Sequence, residues 1–113
     1  MLRPSAHTDT FAQDNLPAKD TWPDLLLDGF DYPDRLNAAV ELTDRMVDQG
    51  FGDHTALIGN GRRRTYKELA DWTNRLAHAL VEDLGVRPGN RVLIRSANNP
   101  AMVACWLAAT KAG

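Results

Sequence analysis

The glycines and arginines at residues 59–64 are the part of this 113-residue chain whose residue types could bind phosphate. The sequence there is GNGRRR, which joins a flexible turn to three cations. A phosphate loop places its glycines between a strand and a helix N-terminus, where backbone N–H groups and the helix dipole converge on the anion. Here the glycines lie in a tight turn between two segments, 55–58 and 62–65, that we expect to be strands. The pattern therefore favours a β-hairpin with solvated arginines.

The other side chains with reactive or metal-binding chemistry are scattered along the chain. Cys105 lies in an apolar stretch, where burial withholds the thiolate needed for attack or metal binding, so we predict a packed core cysteine. His7, His54 and His78 are far apart, and none has a second ligand at a metal-site spacing. We predict that His54 is a loop residue and His78 lies on a helix flank. The sequence assigns no catalytic, cofactor-binding or metal-binding residue.

Composition narrows the class of protein. The chain is 43% hydrophobic and 25% charged, as expected of one globular domain. Thirteen basic and 15 acidic residues give a net charge of -2, which provides no overall attraction to nucleic acid or to an anionic membrane. One cysteine excludes an internal disulfide framework, and no secretory signal is visible. We expect a cytoplasmic protein that handles small molecules or contacts other proteins.

A helix is predicted from residue 66 to about residue 84. Thr65 and Glu68 have the spacing of a capping box, and Gly85 stands where a left-handed C-terminal residue is favoured. Apolar residues at steps of three or four then form one stripe that faces a core. The stripe consists of Leu69, Trp72, Leu76, Leu80 and Leu84.

A buried strand and a second helix are predicted to follow. Residues 91–95 contain an unbroken Val-Leu-Ile run, the composition of a parallel strand covered on both faces. Asn99 followed by Pro100 is a strong N-cap signal for a helix that ends near Ala112. Its apolar run is well short of the roughly 18 residues that cross a bilayer. We predict that this helix, with Trp106, packs in the core.

The N-terminal third combines an extension with a helix. Residues 1–33 contain four prolines, which predict a largely non-helical and partly mobile extension, with an apolar patch at 22–27 that docks on the domain surface. Residues 34–49 have helical apolar spacing, and Gly50 ends that helix. The predicted fold is α/β, with three main helices, a hairpin and a buried strand. Its sheet is incomplete, because a parallel strand needs neighbours that these residues do not provide.

Three blocks in this order carry a family resemblance. They are TYKELADWTNRLAHAL, LGVRPGNRVLI and NNPAMVACWLAATKAG, which together span residues 65–113. This region resembles the N-terminal part of the adenylate-forming superfamily, which contains acyl- and aryl-CoA ligases. Two segments, from about Trp22 to Ile58 with its RLNAAVELTDR helix and from 80 to 113, are similar to the 2-aminobenzoate-CoA and benzoate-CoA ligase branch. This resemblance extends from about Trp22 to residue 113.

The resemblance implies a two-step reaction for the complete enzyme. A carboxylate such as 2-aminobenzoate or benzoate would react with Mg²⁺-bound ATP to give an acyl-adenylate, and coenzyme A would then displace AMP. The family's phosphate loop, its nucleotide motifs and its catalytic lysine have no counterpart here. Residues 34–113 are therefore expected to be a truncated N-terminal subdomain, inactive alone, that binds none of these cofactors strongly. Two alternatives stay open: a free-standing binding or regulatory module on this scaffold, and a ligase for fatty acids or amino acids.

Overall fold

Helices and one hairpin make up the computed structural model of this chain, which describes residues 5–113. This mixture agrees with the predicted α/β class. In chain order the elements are α1 (Phe11–Asp14), a 3₁₀ turn (Lys19–Thr21), α2 (Ala38–Leu42), α3 (Asp44–Met46), a π-helical turn (Val47–Phe51), β1 (Thr55–Gly59), β2 (Arg62–Thr65), α4 (Tyr66–His78) with a π-helical extension (Ala79–Asp83), and α5 (Pro100–Ala112).

The predicted hairpin is confirmed. Strands β1 and β2 pair antiparallel, with Gly59 opposite Arg62 at the tip and Thr55 opposite Thr65 at the base. The two turn residues, Asn60 and Gly61, have φ values of 52° and 70°. Two consecutive left-handed residues give a turn whose twist matches that of the strands, and asparagine and glycine adopt this conformation readily.

The capping box that begins α4 is also confirmed. Glu68 N donates to Thr65 Oγ1 at 3.2 Å, and Thr65 N donates to Glu68 Oε2 at 2.9 Å. Gly85 follows the π-helical extension with φ of +65°, as predicted. Leu69 is buried and Leu76 packs against the core, whereas Leu84 is exposed. The apolar stripe therefore faces the core over the α-helical part of this element and leaves it at the C-terminal end.

The predicted helix over residues 34–49 is shorter and broken. It begins at Ala38, because Asn37 Oδ1 accepts hydrogen bonds from Ala39 N and Val40 N and caps this end. Thr43 interrupts it with φ of -126° and ψ of -75°. The buried Thr43 hydroxyl lies 2.6 Å from the Ala39 carbonyl oxygen, a back-bond that competes with the helical hydrogen bonds. Gly50, with φ of 89°, ends the helical segment as predicted.

The core lies between α4, α5 and α2. Asn99 Oδ1 accepts from Met102 N at 3.0 Å and caps α5, which confirms its predicted start. Small residues on one face of α5 allow close packing, whereas Trp106 lies on the opposite face and is 52% exposed. The prediction that Trp106 packs in the core is therefore wrong. The core cluster consists of Ala39, Leu69, Ala104 and Leu107, with Ala56, Leu57, Trp72, Leu76 and Val103 packed against it.

No strand forms at residues 91–95, so this prediction is wrong for the described chain. Leu93 is 95% exposed, and Val92 is exposed as well. The sheet of the described residues contains β1 and β2 alone, which pair with each other. A strand needs a neighbour for its backbone hydrogen bonds, and no described strand lies beside this segment. Its apolar run matches a buried environment that residues 5–113 do not supply.

The extension contains short turns of helix and is mostly exposed. The apolar patch at 22–27 does not dock: Leu25 and Leu26 are exposed, and Trp22 Nε1 donates to Pro17 O within the extension itself. Among the described helices, none is long and apolar enough to span a membrane.

Candidate functional site

The glycine-rich turn at residues 59–61 does not form a phosphate cradle. It connects two strands, rather than a strand to the helix that follows it in the chain. Two of the arginines are engaged by α4 rather than simply solvated. Arg62 Nη2 donates to Glu68 Oε1 at 2.9 Å, and the Arg64 guanidinium lies 4.4 Å from the centroid of the Trp72 ring. These contacts bind the hairpin to α4, so Arg62 and Arg64 have a structural role.

Glu68 is held ionised by its surroundings. The backbone N–H of Thr65 is the main cause that lowers the pKa of Glu68, and the hydrogen bond from Arg62 lowers it further. A carboxylate that accepts from a helix N-cap and from an arginine has both oxygens engaged. Glu68 is therefore a structural acceptor and is unsuited to act as a general acid.

The cysteine and the histidines are not brought together. Cys105 is partly buried on α5, so the predicted core position is only approximate. His54 lies in a bend against Phe51, with ring centroids 5.2 Å apart, and His78 is exposed near the end of α4, both as predicted. Within residues 5–113 no group of three His, Cys, Asp or Glu side chains could hold a metal ion.

A polar cluster that the sequence did not reveal joins three helices. Lys111 Nζ, in the last turn of α5, donates to Asp44 Oδ2 at the start of α3 and to Asn74 Oδ1 on α4. Burial raises the pKa of Asp44, but the hydrogen bonds from Lys111 and Thr43 outweigh this and hold it below its ordinary value. Asp44 therefore accepts hydrogen bonds as a carboxylate and pairs with a cation, as a structural ion pair does.

Asn37 makes a second connection at the same end of α5. Its Oδ1 caps α2, and its Nδ2 lies 3.2 Å from the carbonyl oxygens of both Thr110 and Lys111. Those carbonyls belong to the last turn of α5, which no further turn follows, and Gly113 N also donates to Thr110 O at 3.3 Å. One side chain thus satisfies the start of one helix and the end of another.

A groove of about 750 Å³ lies beside this junction. Its lining is mainly apolar, and the charged residues Asp34 and Arg35 also lie on it. The walls come from three parts of the described chain. These are the N-terminal segment, the residues just before and at the start of α2, and the end of α5 together with residues 90 and 92. The lining residues are 5–7, 34–38, Asn90, Val92, 109–110 and Gly113.

The N-terminal segment reaches the groove through a set of contacts that no local pattern predicts. Asp9 Oδ2 accepts from Asn90 Nδ2 at 2.8 Å and from Arg91 Nη1 at 2.7 Å. The pKa of Asp9 is lowered, first by the backbone N–H of Phe11 and then by Asn90. These residues are about eighty positions apart, which is why sequence spacing gave no sign of them.

Part of the chain matches a known protein family. A family model described as "AMP-binding enzyme" matches residues 44–113. The chain is 40% identical over 78 residues to a 3-hydroxybenzoate–CoA/4-hydroxybenzoate–CoA ligase of Thauera aromatica, a match that covers 69% of this chain and 15% of that ligase. It is 37% identical over 81 residues to a benzoate–CoA ligase of the same organism, covering 72% of this chain and 15% of the relative.

Relatives with another acid in their names match equally well. An acetyl-coenzyme A synthetase of Streptomyces avermitilis is 38% identical over 84 residues, covering 70% of this chain and 13% of the synthetase. No solved structure matches the chain significantly. The chain thus spans about 15% of the length of the aryl-CoA ligases it matches. Because the family model covers more than half of its residues, this chain belongs to the AMP-binding enzyme family.

Proposed function

We propose that this chain is the N-terminal part of an AMP-forming ligase that joins an aromatic carboxylate to coenzyme A. The observation that carries the proposal is the match to hydroxybenzoate–CoA and benzoate–CoA ligases over 69% and 72% of the chain. Benzoate or 2-aminobenzoate is the substrate class we favour. In this proposal residues 34–113 belong to the catalytic domain as scaffold, and residues 1–33 extend it. The single cysteine fits a reducing, cytoplasmic setting.

The complete ligase would use ATP with Mg²⁺ and then coenzyme A. ATP would supply the phosphoryl group, Mg²⁺ would stabilise the charge that develops on it, and coenzyme A would supply the thiol. Within residues 5–113 no group of three His, Cys, Asp or Glu side chains could hold a metal ion, and the glycine turn connects two strands. We assign none of these groups to any residue of this chain. The contribution of the chain is the packing of α4, α5 and the hairpin.

Acetate is the second candidate substrate. The acetyl-coenzyme A synthetase match has nearly the same identity and coverage as the aryl-CoA ligase matches. A region that is equally similar to relatives named for different acids belongs to their shared scaffold. The acid must therefore be identified by assay.

The test uses the longest open reading frame that contains this sequence. The purified product is assayed for carboxylate-dependent ATP–pyrophosphate exchange with benzoate, 2-aminobenzoate, 3-hydroxybenzoate, acetate, octanoate and an amino acid. We expect exchange with an aromatic acid, followed by thioester formation when coenzyme A is added. Exchange with acetate or octanoate alone would contradict the aromatic assignment, and no exchange with any acid would contradict the ligase.

The 113-residue chain alone is assayed in parallel. We expect exchange no faster than in the blank, because we assign no phosphate-binding residue to this chain. Robust exchange by this chain would contradict the scaffold role. Sedimentation and thermal melting of the same chain test the alternative that it is an independent binding module. A monomer that melts cooperatively and binds a specific partner would favour that alternative.

A further inference from the structure

We propose that residues 5–14 form a releasable strap, held at Asp9, that closes over the turn at residues 87–91 and forms one wall of the groove. We define the strap as these ten residues. The inference concerns the described chain alone and does not depend on its activity as a ligase.

The strap is fixed to the turn by hydrogen bonds in both directions. Thr8 N and Asp9 N donate to the Pro88 carbonyl oxygen at 2.9 and 3.1 Å. In return the Asp9 carboxylate accepts from the side chains of Asn90 and Arg91. Asp9 thus accepts hydrogen bonds from two side chains of the turn, an amide and a guanidinium, so it is the main attachment point of the strap.

An aromatic contact and a close backbone approach complete the closure. The Arg91 guanidinium carbon lies 4.4 Å from the centroid of the Phe11 ring. Gly89 lies so close to the strap that a Cβ added there would be 2.1 Å from the Asp9 carbonyl oxygen. No side chain fits in that space, so the strap can close only over a glycine at position 89.

The closed strap lies over a junction that also includes the end of α5. Gly89 N donates to Gly113 O at 2.6 Å, and Asn90 and Gly113 both line the groove. Ser5, Ala6 and His7 line it from the strap side. Displacement of the strap would remove that wall and open the groove to solvent.

The strap has the features of a low-stability segment. Its helix, α1, has four residues and buries none of them, and Phe11 is exposed despite its contact with Arg91. Its attachment thus depends on a few surface interactions. Segments with few buried apolar contacts open at a small fraction of the global free energy of unfolding. The strap can therefore open while the helical core stays folded.

Hydrogen exchange of backbone amides in Asp9→Ala tests the attachment. We expect the backbone amides of residues 8 and 9 to exchange about tenfold faster than in the wild-type chain, because the charge-assisted hydrogen bonds from Asn90 and Arg91 are lost. Exchange in α5 should not change. The control is Asp20→Ala, since Asp20 has no hydrogen-bond or ion-pair partner within residues 5–113. Equal exchange in the two variants would overturn the proposal.

A second variant tests the attachment by placing a methyl group where the strap closes. Gly89→Ala should give the same increase in exchange at Thr8 and Asp9. The matched control is Gly29→Ala, because Gly29 has φ of +90° against +93° at Gly89 but has open space where its Cβ would lie. The same backbone strain without the clash should leave the strap closed. Loss of strap protection in Gly29→Ala, or its retention in Gly89→Ala, would overturn the role of the close approach.

Thiol labelling tests whether the strap covers the groove. Ala109 lines the groove and is introduced as a cysteine by Ala109→Cys in a Cys105→Ser background. Labelling should be about tenfold faster when Asp9→Ala is added, in parallel with the amide exchange. Faster amide exchange with unchanged labelling would show that the strap does not close the groove and would overturn that part of the proposal.

Discussion

Lys111 Nζ donates to Asp44 Oδ2, and this contact joins the last turn of α5 to the first turn of α3. The lysine side chain is 14% exposed and also donates to Asn74 on α4. A cation so enclosed needs both acceptors, because burial without them would carry a desolvation penalty. The pair therefore determines how the chain closes around its core.

Substitution of Lys111 tests this closure. We expect Lys111→Met to lower the free energy of unfolding by about 1–3 kcal/mol, because Asp44 and Asn74 lose their donor. Urea denaturation of Lys111→Met, Asp44→Asn and the double variant gives the coupling energy. The control is Arg45→Met, which removes the exposed Arg45–Glu41 pair, with side chains 58% and 35% exposed, and should change stability by about 0–1 kcal/mol. Equal effects at both positions would contradict a special role for Lys111.

Acid should weaken the same contact. The folded pKa of Asp44 lies below the ordinary value of about 3.9, so its stabilisation is complete above that pH and is lost as the pH falls through the folded pKa. The free energy of unfolding is measured against pH for the wild-type chain and Asp44→Asn. We expect the difference between them to be constant near neutral pH and to shrink below about pH 4. A constant difference down to acid unfolding would contradict the prediction.

Local signals in the sequence predicted the start of α4 and both ends of α5. The Thr65 capping box and the Asn99-Pro100 start involve residues within one helical turn of each other, so spacing alone reveals them. The hairpin turn is equally local, because asparagine and glycine meet its backbone requirement by themselves.

Long-range relationships could not be predicted in this way. Lys111 and Asp44 are 67 positions apart, and Asp9 and Arg91 are 82 apart, so no periodicity connects them. The break at Thr43 depends on the burial of one hydroxyl, which the packing of the neighbouring helices determines. The predicted strand at residues 91–95 is wrong for another reason. Their apolar composition reports the environment of a paired strand, and pairing requires a neighbour that the described residues lack.

Two fully buried threonines should respond oppositely to the same substitution. Thr73 Oγ1 has no hydrogen-bond partner within residues 5–113, whereas Thr43 Oγ1 is within 2.6 Å of the Ala39 carbonyl oxygen. We expect Thr73→Val to raise the free energy of unfolding by about 1 kcal/mol, and Thr43→Val to lower it by about 1–3 kcal/mol. Thermal and urea denaturation of both variants measure the difference. A loss of stability in Thr73→Val would show that the hydroxyl has a partner in solution.

The hairpin packs against the start of α5 through Gly59. A Cβ at this position would be 2.7 Å from Pro100 Cγ and 2.8 Å from Cδ, and the proline ring cannot move aside as a flexible side chain could. Gly59→Ala should therefore lower the free energy of unfolding by about 1–3 kcal/mol. Gly52→Ala is the control, because Gly52 has helical backbone angles and ordinary contacts no closer than 3.5 Å. Equal stability of the two variants in urea would contradict the predicted contact.

Matched alanine substitutions of two leucines test the environment of residues 91–95. Leu93 is 95% exposed and Leu107 is 4% exposed, so the same truncation removes buried surface at only one of them. We expect Leu93→Ala to change the free energy of unfolding by less than about 0.5 kcal/mol. Leu107→Ala should lower it by about 2–5 kcal/mol, because it leaves a cavity between α4 and α5. Urea denaturation of the 113-residue chain measures both. A large loss at Leu93 would show that residues 91–95 are buried in solution and that their exposed, unpaired arrangement is wrong.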